Sequence, residues 1–149
     1  MTVRLRPARS TDAGKLGVIL KQFQDHNDWM PDLYTAAETI AFCGALIDRG
    51  WVTVAMLDDR VVGFLARDDA EICALYLTRR AFGKGVGRAL LEDAKTRSTR
   101  LTLRVFQANT GAQRFYRREG FAEVGRSDGV DNDENLPDIA YVWPKETAT

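Results

Sequence analysis

The sequence predicts a mixed α/β fold, a central sheet with helices on its faces, on three observations. The hydrophobic strand Ile72-Cys73-Ala74-Leu75-Tyr76-Leu77 runs through a glycine-rich basic turn into an amphipathic helix. A further strand, in which Leu101, Leu103 and Val105 alternate with Thr102, Arg104 and Phe106, follows that helix, so the two strands run parallel through a helical crossover. Short β-rich runs joined by tight turns precede this unit, and two more follow it. With 149 residues and 45% hydrophobic content the chain has the size and apolar mass of one domain, 1–149.

The chain opens with a short strand over 3–6. Leu16, Ile19, Leu20 and Phe23 then recur at helical spacing, with Asp12 placed to cap that helix. A second helix begins at the capping-box pair Thr35 and Glu38, carries Ile40, Cys43, Leu46 and Ile47, and stops at Gly50. The runs 51–57 and 61–66 flank Asp58-Asp59-Arg60 as a hairpin, and Asp68-Asp69 turns the chain into the 72–77 strand. After the glycine turn, Val86, Ala89, Leu90 and Ala94 share one helix face while Arg88, Glu92 and Lys95 share another. Beyond the 101–106 strand, Thr110 and Gln113 form a capping pair for a helix that ends at Gly120, and 121–124 and 139–143 supply the last two strands. There is no repeat, linker or low-complexity segment.

The glycine turn carries the chemistry. Gly83, Gly85 and Gly87 let the backbone approach a ligand without Cβ obstruction, and the helix that starts there offers unpaired N–H groups and its positive dipole end to an anion. Arg80, Lys84 and Arg88 add mobile positive charge. The spacing separates the phosphate-binding classes. A P-loop needs G-x-x-x-x-G-K-[ST], which no window supplies. A dinucleotide fingerprint needs a third glycine where Arg88 stands, and this turn lies mid-chain instead of opening a fold. What remains is R-x-x-G-x-G, met by Arg80, Gly83 and Gly85.

With its preceding strand and following helix, that turn resembles the acetyl-CoA-binding motif of the GNAT acyltransferase superfamily. The segment Asn109-Thr110-Gly111-Ala112-Gln113-Arg114-Phe115-Tyr116-Arg117-Arg118-Glu119-Gly120-Phe121 is similar to that family's N-x-x-A-x-x-F-Y-x-x-x-G-F run. The likeness in element order covers nearly the whole chain, and the specific residues lie between Glu71 and Phe121. The resemblance implies a mixed, mostly antiparallel sheet of about seven strands with a parallel splayed pair, flanked by about four helices. It implies acetyl-CoA as the acyl donor. Backbone groups of Leu75 and Leu77, with Tyr76 between them, would bind the pantetheine arm in the gap between the splayed strands. The amides of Phe82, Gly83, Lys84, Gly85, Val86, Gly87 and Arg88, beside Arg80, would wrap the pyrophosphate. Asn109 would touch the arm from the next strand's end, and Ala112 and Phe115 belong to the same site.

Acetyl transfer to an amine sets chemical demands. A lysine-like amine with a pKa near ~10.4 is protonated at neutral pH, and deprotonating it costs roughly 4 kcal/mol. Glu71 heads the motif strand and matches in position the glutamate that some family members use as base, although it also reads as a solvated end of the Asp68-Asp69 turn. The leaving sulfur accepts a proton most readily from a positioned acid. Tyr116, the tyrosine of the F-Y pair, is the candidate, against the reading of an ordinary core aromatic. A backbone N–H near Tyr76 or Leu77 would hold the oxyanion.

Acceptor recognition falls to the two irregular stretches. The first, 25–34, sets Trp29, Met30 and Tyr34 in an apolar cluster that either lines an acceptor pocket or caps the core. The second, 126–138, is acidic, with Asp131 among its carboxylates, and reads either as a negative rim for a cationic amine or as a solvated loop; its spacing does not match an EF-hand. His26 lies among polar neighbours and reads as a solvated loop residue. Cys43 and Cys73, in apolar surroundings with no metal-ligand spacing, read as two buried reduced thiols of a cytoplasmic protein. Lysines plus arginines equal aspartates plus glutamates, 21 against 21, so no global field draws the chain to nucleic acid or membrane, and no apolar run approaches membrane-spanning length. The expected function is N-acetyl transfer from acetyl-CoA to a small-molecule amine or a protein amino group by direct attack in a ternary complex, without a metal. The alternatives are a non-catalytic CoA-binding regulatory module, acyl transfer to a non-amine acceptor, or a phosphate-dependent nucleotide binder, and there is room for a homodimer.

Overall fold

A computed structural model describes residues 2–144. They build a seven-stranded sheet in the order β1-β2-β3-β4-β5-β7-β6. Its strands are β1 (Arg4–Pro7), β2 (Val52–Leu57), β3 (Arg60–Asp68), β4 (Glu71–Leu77), β5 (Leu101–Phe106), β6 (Ala122–Ser127) and β7 (Asp138–Trp143). Four helices flank them: α1 (Ala13–His26), α2 (Ala36–Asp48), α3 (Val86–Arg97) and α4 (Thr110–Arg118). Every neighbouring strand pair is antiparallel except β4 and β5, the pair joined by α3. This is the mixed sheet with one parallel pair that the sequence pattern predicts.

Each face of the sheet has its own core. Leu16 and Ile19 of α1 and Cys43 and Leu46 of α2 bury against Val54, Phe64 and Ala74 on one face. Val86, Leu90 and Leu91 of α3 and Tyr116 of α4 bury against Leu101, Leu103, Ile139 and Tyr141 on the other. The β2–β3 hairpin turns on Asp58 and Asp59, both left-handed at φ 49° and 63°. A mirror-image turn of this kind matches the twist of the hairpin, and aspartate tolerates the left-handed region better than most residues.

The β4–β5 ladder is short. Glu71 pairs with Thr102, and Thr102 N–H donates to Ala70 O at 2.8 Å. Beyond that point the strands part. On the other edge of β4, the register against β3 slips between Ala66 and Arg67, so Cys73 falls between the pairs Ala66–Ala74 and Arg67–Ile72. Such a bulge bends a strand and raises its local twist, which turns β4 away from β5.

The same bulge corrects the reading of the thiols. Cys43 is buried in the α1–α2 core, whereas Cys73, displaced from its alternation, is exposed at the opened gap. Two caps also differ from expectation. The last helix is capped by Asn109, whose Oδ1 accepts from Ala112 N–H at 3.1 Å, while Gln113 reaches back to donate to Gln107 O at 2.8 Å. β5 ends at Phe106, three residues before Asn109, which leaves the shorter side chain in the capping position, and Thr110 is already helical. The Thr35–Glu38 capping box forms as read.

Asp12 does not cap α1. It sits in a 3₁₀ turn, buried, where it accepts from Arg9 N–H at 2.7 Å and takes two hydrogen bonds from the Arg6 guanidinium at 2.8 and 3.0 Å. Those guanidinium bonds hold its carboxyl below the ordinary aspartate range. A depressed folded-state pKa contributes stability that is present above the unfolded pKa and lost as pH falls through the folded one. The expected result is therefore that Asp12→Asn costs about 2 kcal/mol at neutral pH and nearly nothing in acid below the wild-type carboxyl's own titration, as read by denaturant unfolding across pH. An equal loss at both extremes would refute the ion pair as the cause.

Candidate active site

The gap between β4 and β5 widens into a cleft of about 1010 Å³. Leu75, Tyr76 and Leu77 form one wall, Ala112, Phe115 and Tyr116 of α4 another, and the turn from Ala81 to Arg88 closes the end. A narrower cavity of about 90 Å³ continues between the strands to the opposite face, lined by Cys73, Arg104, Phe106 and Tyr116 among others. Tyr116 and Asn109 line both.

Backbone polarity follows from the strand geometry. Thr78 N–H donates to Val62 O at 2.8 Å, on the β3 side. Alternation then turns the N–H and C=O groups of Leu77 and Leu75 toward the gap, where β5 has moved out of reach. Buried backbone groups without a partner are costly, so this edge is built to be satisfied by a ligand lying along it.

The turn has the geometry of an anion site. Gly83 and Gly85 are left-handed at φ 75° and 78°, and a Cβ added to either would meet no protein atom within 4 Å, so the ground for glycine here is backbone conformation and open access to the cleft. Gly85 is the N-cap of α3, and the first intrahelical bond runs from Ala89 N–H to Gly85 O at 3.0 Å. The N–H groups of Val86, Gly87 and Arg88 therefore have no helical acceptor and collect at the cleft end. Two of the expected amides are spent inside the turn, Phe82 N–H on Arg79 O at 3.1 Å and Lys84 N–H on Ala81 O at 3.4 Å. At Gly87 a Cβ would stand 3.1 Å from Phe115 Cζ, so glycine there lets α3 and α4 close around the cleft.

Tyr116 packs edge-on against Phe115 and Phe121, with ring centroids 5.1 and 5.4 Å away. Burial pushes its phenol well above the ordinary tyrosine range, with the nearby Tyr76 adding to the shift. It is accordingly neutral and protonated at physiological pH, the state of a hydrogen-bond donor or acid. Tyr76 is likewise pushed up to about 12, by burial first and then by Glu134.

On the opposite face, Trp29 packs edge-on against Phe23 at 5.8 Å and Phe106 at 5.7 Å, and Phe23 lies 4.9 Å from Tyr76. The Tyr34 hydroxyl donates to Asp133 Oδ2 at 3.1 Å, which ties the α1–α2 connection, 27–35, to the acidic loop. That loop is anchored by the buried Asp138, which accepts from Ser127 Oγ at 2.7 Å and Arg104 Nη1 at 3.2 Å. Among the described residues, the loop's carboxylates assemble no metal-holding cluster.

The sequence-read candidates thus divide. The β4 residues, the glycines with Val86 and Arg88, and Asn109, Ala112, Phe115 and Tyr116 share one cleft; Phe82 lines it through the turn. Arg80 and Lys84 are exposed and stand outside its lining. Glu71 is exposed at the closed end of the gap; because Ile72 points into the α3–α4 core, Glu71 faces the side of Arg104 and Phe106. Of the acceptor candidates, Trp29 and Tyr34 are placed by their contacts near that side, Met30 closes a local turn by donating to Asn27 O, and Asp131 is exposed, while Asp133 and Glu134 are the acids that approach Tyr34 and Tyr76. Phe23, Asn27, Arg104 and Phe106 were not singled out from sequence. The helical spacing of Phe23 after Leu20 and the even parity of Arg104 and Phe106 were the only available signals.

A parallel strand pair opened like a wedge, with unpaired helix-start amides at one end and a buried phenol inside, is the arrangement of an acyltransferase that works from a long nucleotide-linked thioester. Comparison with known proteins agrees. Residues 48–123 match the model of the acetyltransferase (GNAT) domain. The chain is 30% identical to the peptidyl-lysine N-acetyltransferase YjaB of Salmonella typhimurium over 146 residues, which span 97% of this chain and 100% of that one. It is 37% identical over 93 residues to the 5-NmdU N-acetyltransferase of Pseudomonas phage PaMx11, covering 57% of this chain and 66% of that one. Its fold superposes on the solution structure of apo YjaB from Escherichia coli with a TM-score of 0.82 and 26% identity, covering 98% and 100% of the two chains. The chain belongs to the GNAT acetyltransferase family, and acetyl-CoA is its acyl donor.

Proposed function

We propose that this protein is a lysine N-acetyltransferase that acts on a protein amino group, and that the wedge between β4 and β5 is its reaction centre. The observation that carries the acceptor reading is the narrow passage to the far face, walled by Phe23, Tyr76 and Phe106. A slim alkylamine chain suits such a passage, and aromatic walls with the Glu134 carboxylate nearby suit its ammonium. The Salmonella relative's action on peptidyl lysine supports the same choice. In this reading the amides of Gly83, Gly85, Val86, Gly87 and Arg88 bind the pyrophosphate, assisted by the mobile charges of Arg80 and Lys84. The gap-facing groups of Leu75 and Leu77 orient the pantetheine arm, and Asn109 touches it through its amide nitrogen. The Leu77 N–H is the oxyanion donor, and Tyr116 gives its proton to the departing sulfur. Glu71, at the head of the gap on the acceptor face, takes the amine's proton through water. Trp29, Met30 and Tyr34 shape the entrance, and Asp131 adds to its negative rim. One sheet carrying both faces of the site supports a single domain, and the unpaired thiols Cys43 and Cys73 support a cytoplasmic setting; no described helix is long and apolar enough to cross a membrane.

An acetyl-CoA consumption assay over lysine peptides, peptide N-termini, polyamines, aminoglycosides and modified nucleosides tests this. The expected result is that lysine peptides give the highest kcat/KM and that the new amide sits on the ε-nitrogen. Turnover confined to a ring-borne or nucleoside amine would overturn the acceptor, and no turnover with any amine would leave a CoA-binding module.

A further inference from the structure

The acceptor face carries a cation to which the acetyl-transfer chemistry gives no part. Arg104 and Phe106 point the same way from β5, and the Phe106 ring meets Trp29. Arg104 therefore stands beside the aromatic wall of the narrow passage and lines it. Its side chain leans along the diagonal to β7: Arg104 pairs with Ala140 and Phe106 with Asp138, and Arg104 Nη1 donates to Asp138 Oδ1 at 3.2 Å. The Asp138 side chain is only 8% exposed, and Ser127 Oγ donates to the same oxygen at 2.7 Å, so the strands on both sides of β7 hold that carboxylate. The Arg104 side chain, by contrast, is 64% exposed, and Nη1 is its one engaged donor among the described residues.

A buried carboxylate thus fixes one edge of a guanidinium fork and leaves its other donors open at the passage. A planar fork held in this way matches a second carboxylate bidentately and loses less side-chain entropy on binding it. The remaining carboxylates of this face are engaged or placed elsewhere. Asp133 accepts from the Tyr34 hydroxyl, the Glu134 charge acts on the Tyr76 phenol, and Glu71 heads the gap. Negative charge from the loop and positive charge on β5 together complement an acceptor that presents an ammonium and a carboxylate side by side. A lysine with an acidic neighbour in its chain has that form: the ammonium enters past Tyr76 and the neighbour's carboxylate falls to Arg104.

We propose that Arg104, held by Asp138, is a specificity-determining residue that binds the carboxylate of an Asp or Glu next to the target lysine, and so directs acetylation to lysines with an acidic neighbour. The inference rests on the lysine-acceptor reading. The test is a steady-state acetyl-transfer assay of the full chain on blocked lysine peptides of one length that differ only in the residue beside the lysine: Asp or Glu, Asn or Gln, and Arg. Wild type, Arg104→Gln and Arg104→Glu are compared. The wild type is expected to use the acidic peptides with kcat/KM about ten-fold above their amide isosteres, the scale of one charge-assisted pair. The difference should lie mainly in KM, since the contact is the same in ground and transition states. Arg104→Gln should erase the preference; both peptides are measured on one enzyme sample, so their ratio does not depend on how much of the variant is folded. Arg104→Glu should turn the preference toward the Arg peptide, a gain that loss of structure cannot produce. The wild-type preference should also fall with rising salt. A wild type indifferent to the neighbour's charge, or an acidic preference that survives Arg104→Gln, overturns the subsite and leaves the lysine acceptor standing. A wild type that acetylates none of the lysine peptides overturns the lysine-acceptor reading itself, and the subsite with it.

Discussion

Tyr116→Phe is expected to lower kcat about 100-fold, the usual scale of a positioned acid, while acetyl-CoA affinity stays within about three-fold of wild type. The reasoning is geometric. The residue is 8% exposed, lies at the junction of the large cleft and the narrow passage, and is clamped between Phe115 and Phe121. Removing only the hydroxyl leaves those ring contacts intact, so stability should change little. Because burial raises the phenol far above its ordinary value, it stays protonated throughout an assay range. The alkaline side of the wild-type kcat profile should therefore show no loss attributable to phenol ionisation. Glu71→Gln is the companion measurement. An exposed base acting through water predicts about a ten-fold fall in kcat that shrinks as pH rises and the amine deprotonates by itself. Unchanged kcat in both variants would remove the acid and base assignments together.

Gly85→Val is expected to raise the KM for acetyl-CoA about 100-fold, well beyond its cost to stability. The residue caps α3 in the left-handed region, at φ 78°, where a β-branched side chain is strongly disfavoured. Two outcomes are open to the variant chain: keep the turn at a cost of about 2 kcal/mol, or relax φ and swing the amides of Val86 and Gly87 away from the cleft. Either weakens phosphate binding, and the new side chain stands in the open space that the ligand needs. Gly85→Ala separates the effects, since a lone methyl costs about 1 kcal/mol in backbone strain but obstructs less. Steady-state kinetics paired with denaturant unfolding reads both quantities. A Gly85→Val enzyme that is destabilised yet keeps its KM would show that the turn amides do not hold the donor.

What was legible in the chain was what local chemistry writes there. Strand parity at Leu101, Leu103 and Val105, the Thr35–Glu38 box and the glycines of the α3 turn each depend on residues a few positions apart, and each element formed. The cleft residues from Leu75 to Arg88 and from Asn109 to Tyr116 were legible for the same reason, because two short motifs carry them. Even the misread caps are local competitions. Asn109 outranks Thr110 once β5 has fixed where the helix begins, and Asp12 is taken from capping by Arg6, six residues earlier.

The amino-acid sequence by itself determined the element order, the parallel crossover and the glycine turn that opens α3, because propensity, parity and glycine conformation act within a single turn or strand. Only the tertiary structure decided the rest. The bulge opposite Ala66 and Arg67 opens the gap and exposes Cys73, Tyr34 meets Asp133 across 99 residues, and Phe23, Trp29 and Phe106 come together from three elements. These are contacts between segments that no local pattern couples; their cost in chain entropy is met only when both cores of the sheet assemble at once.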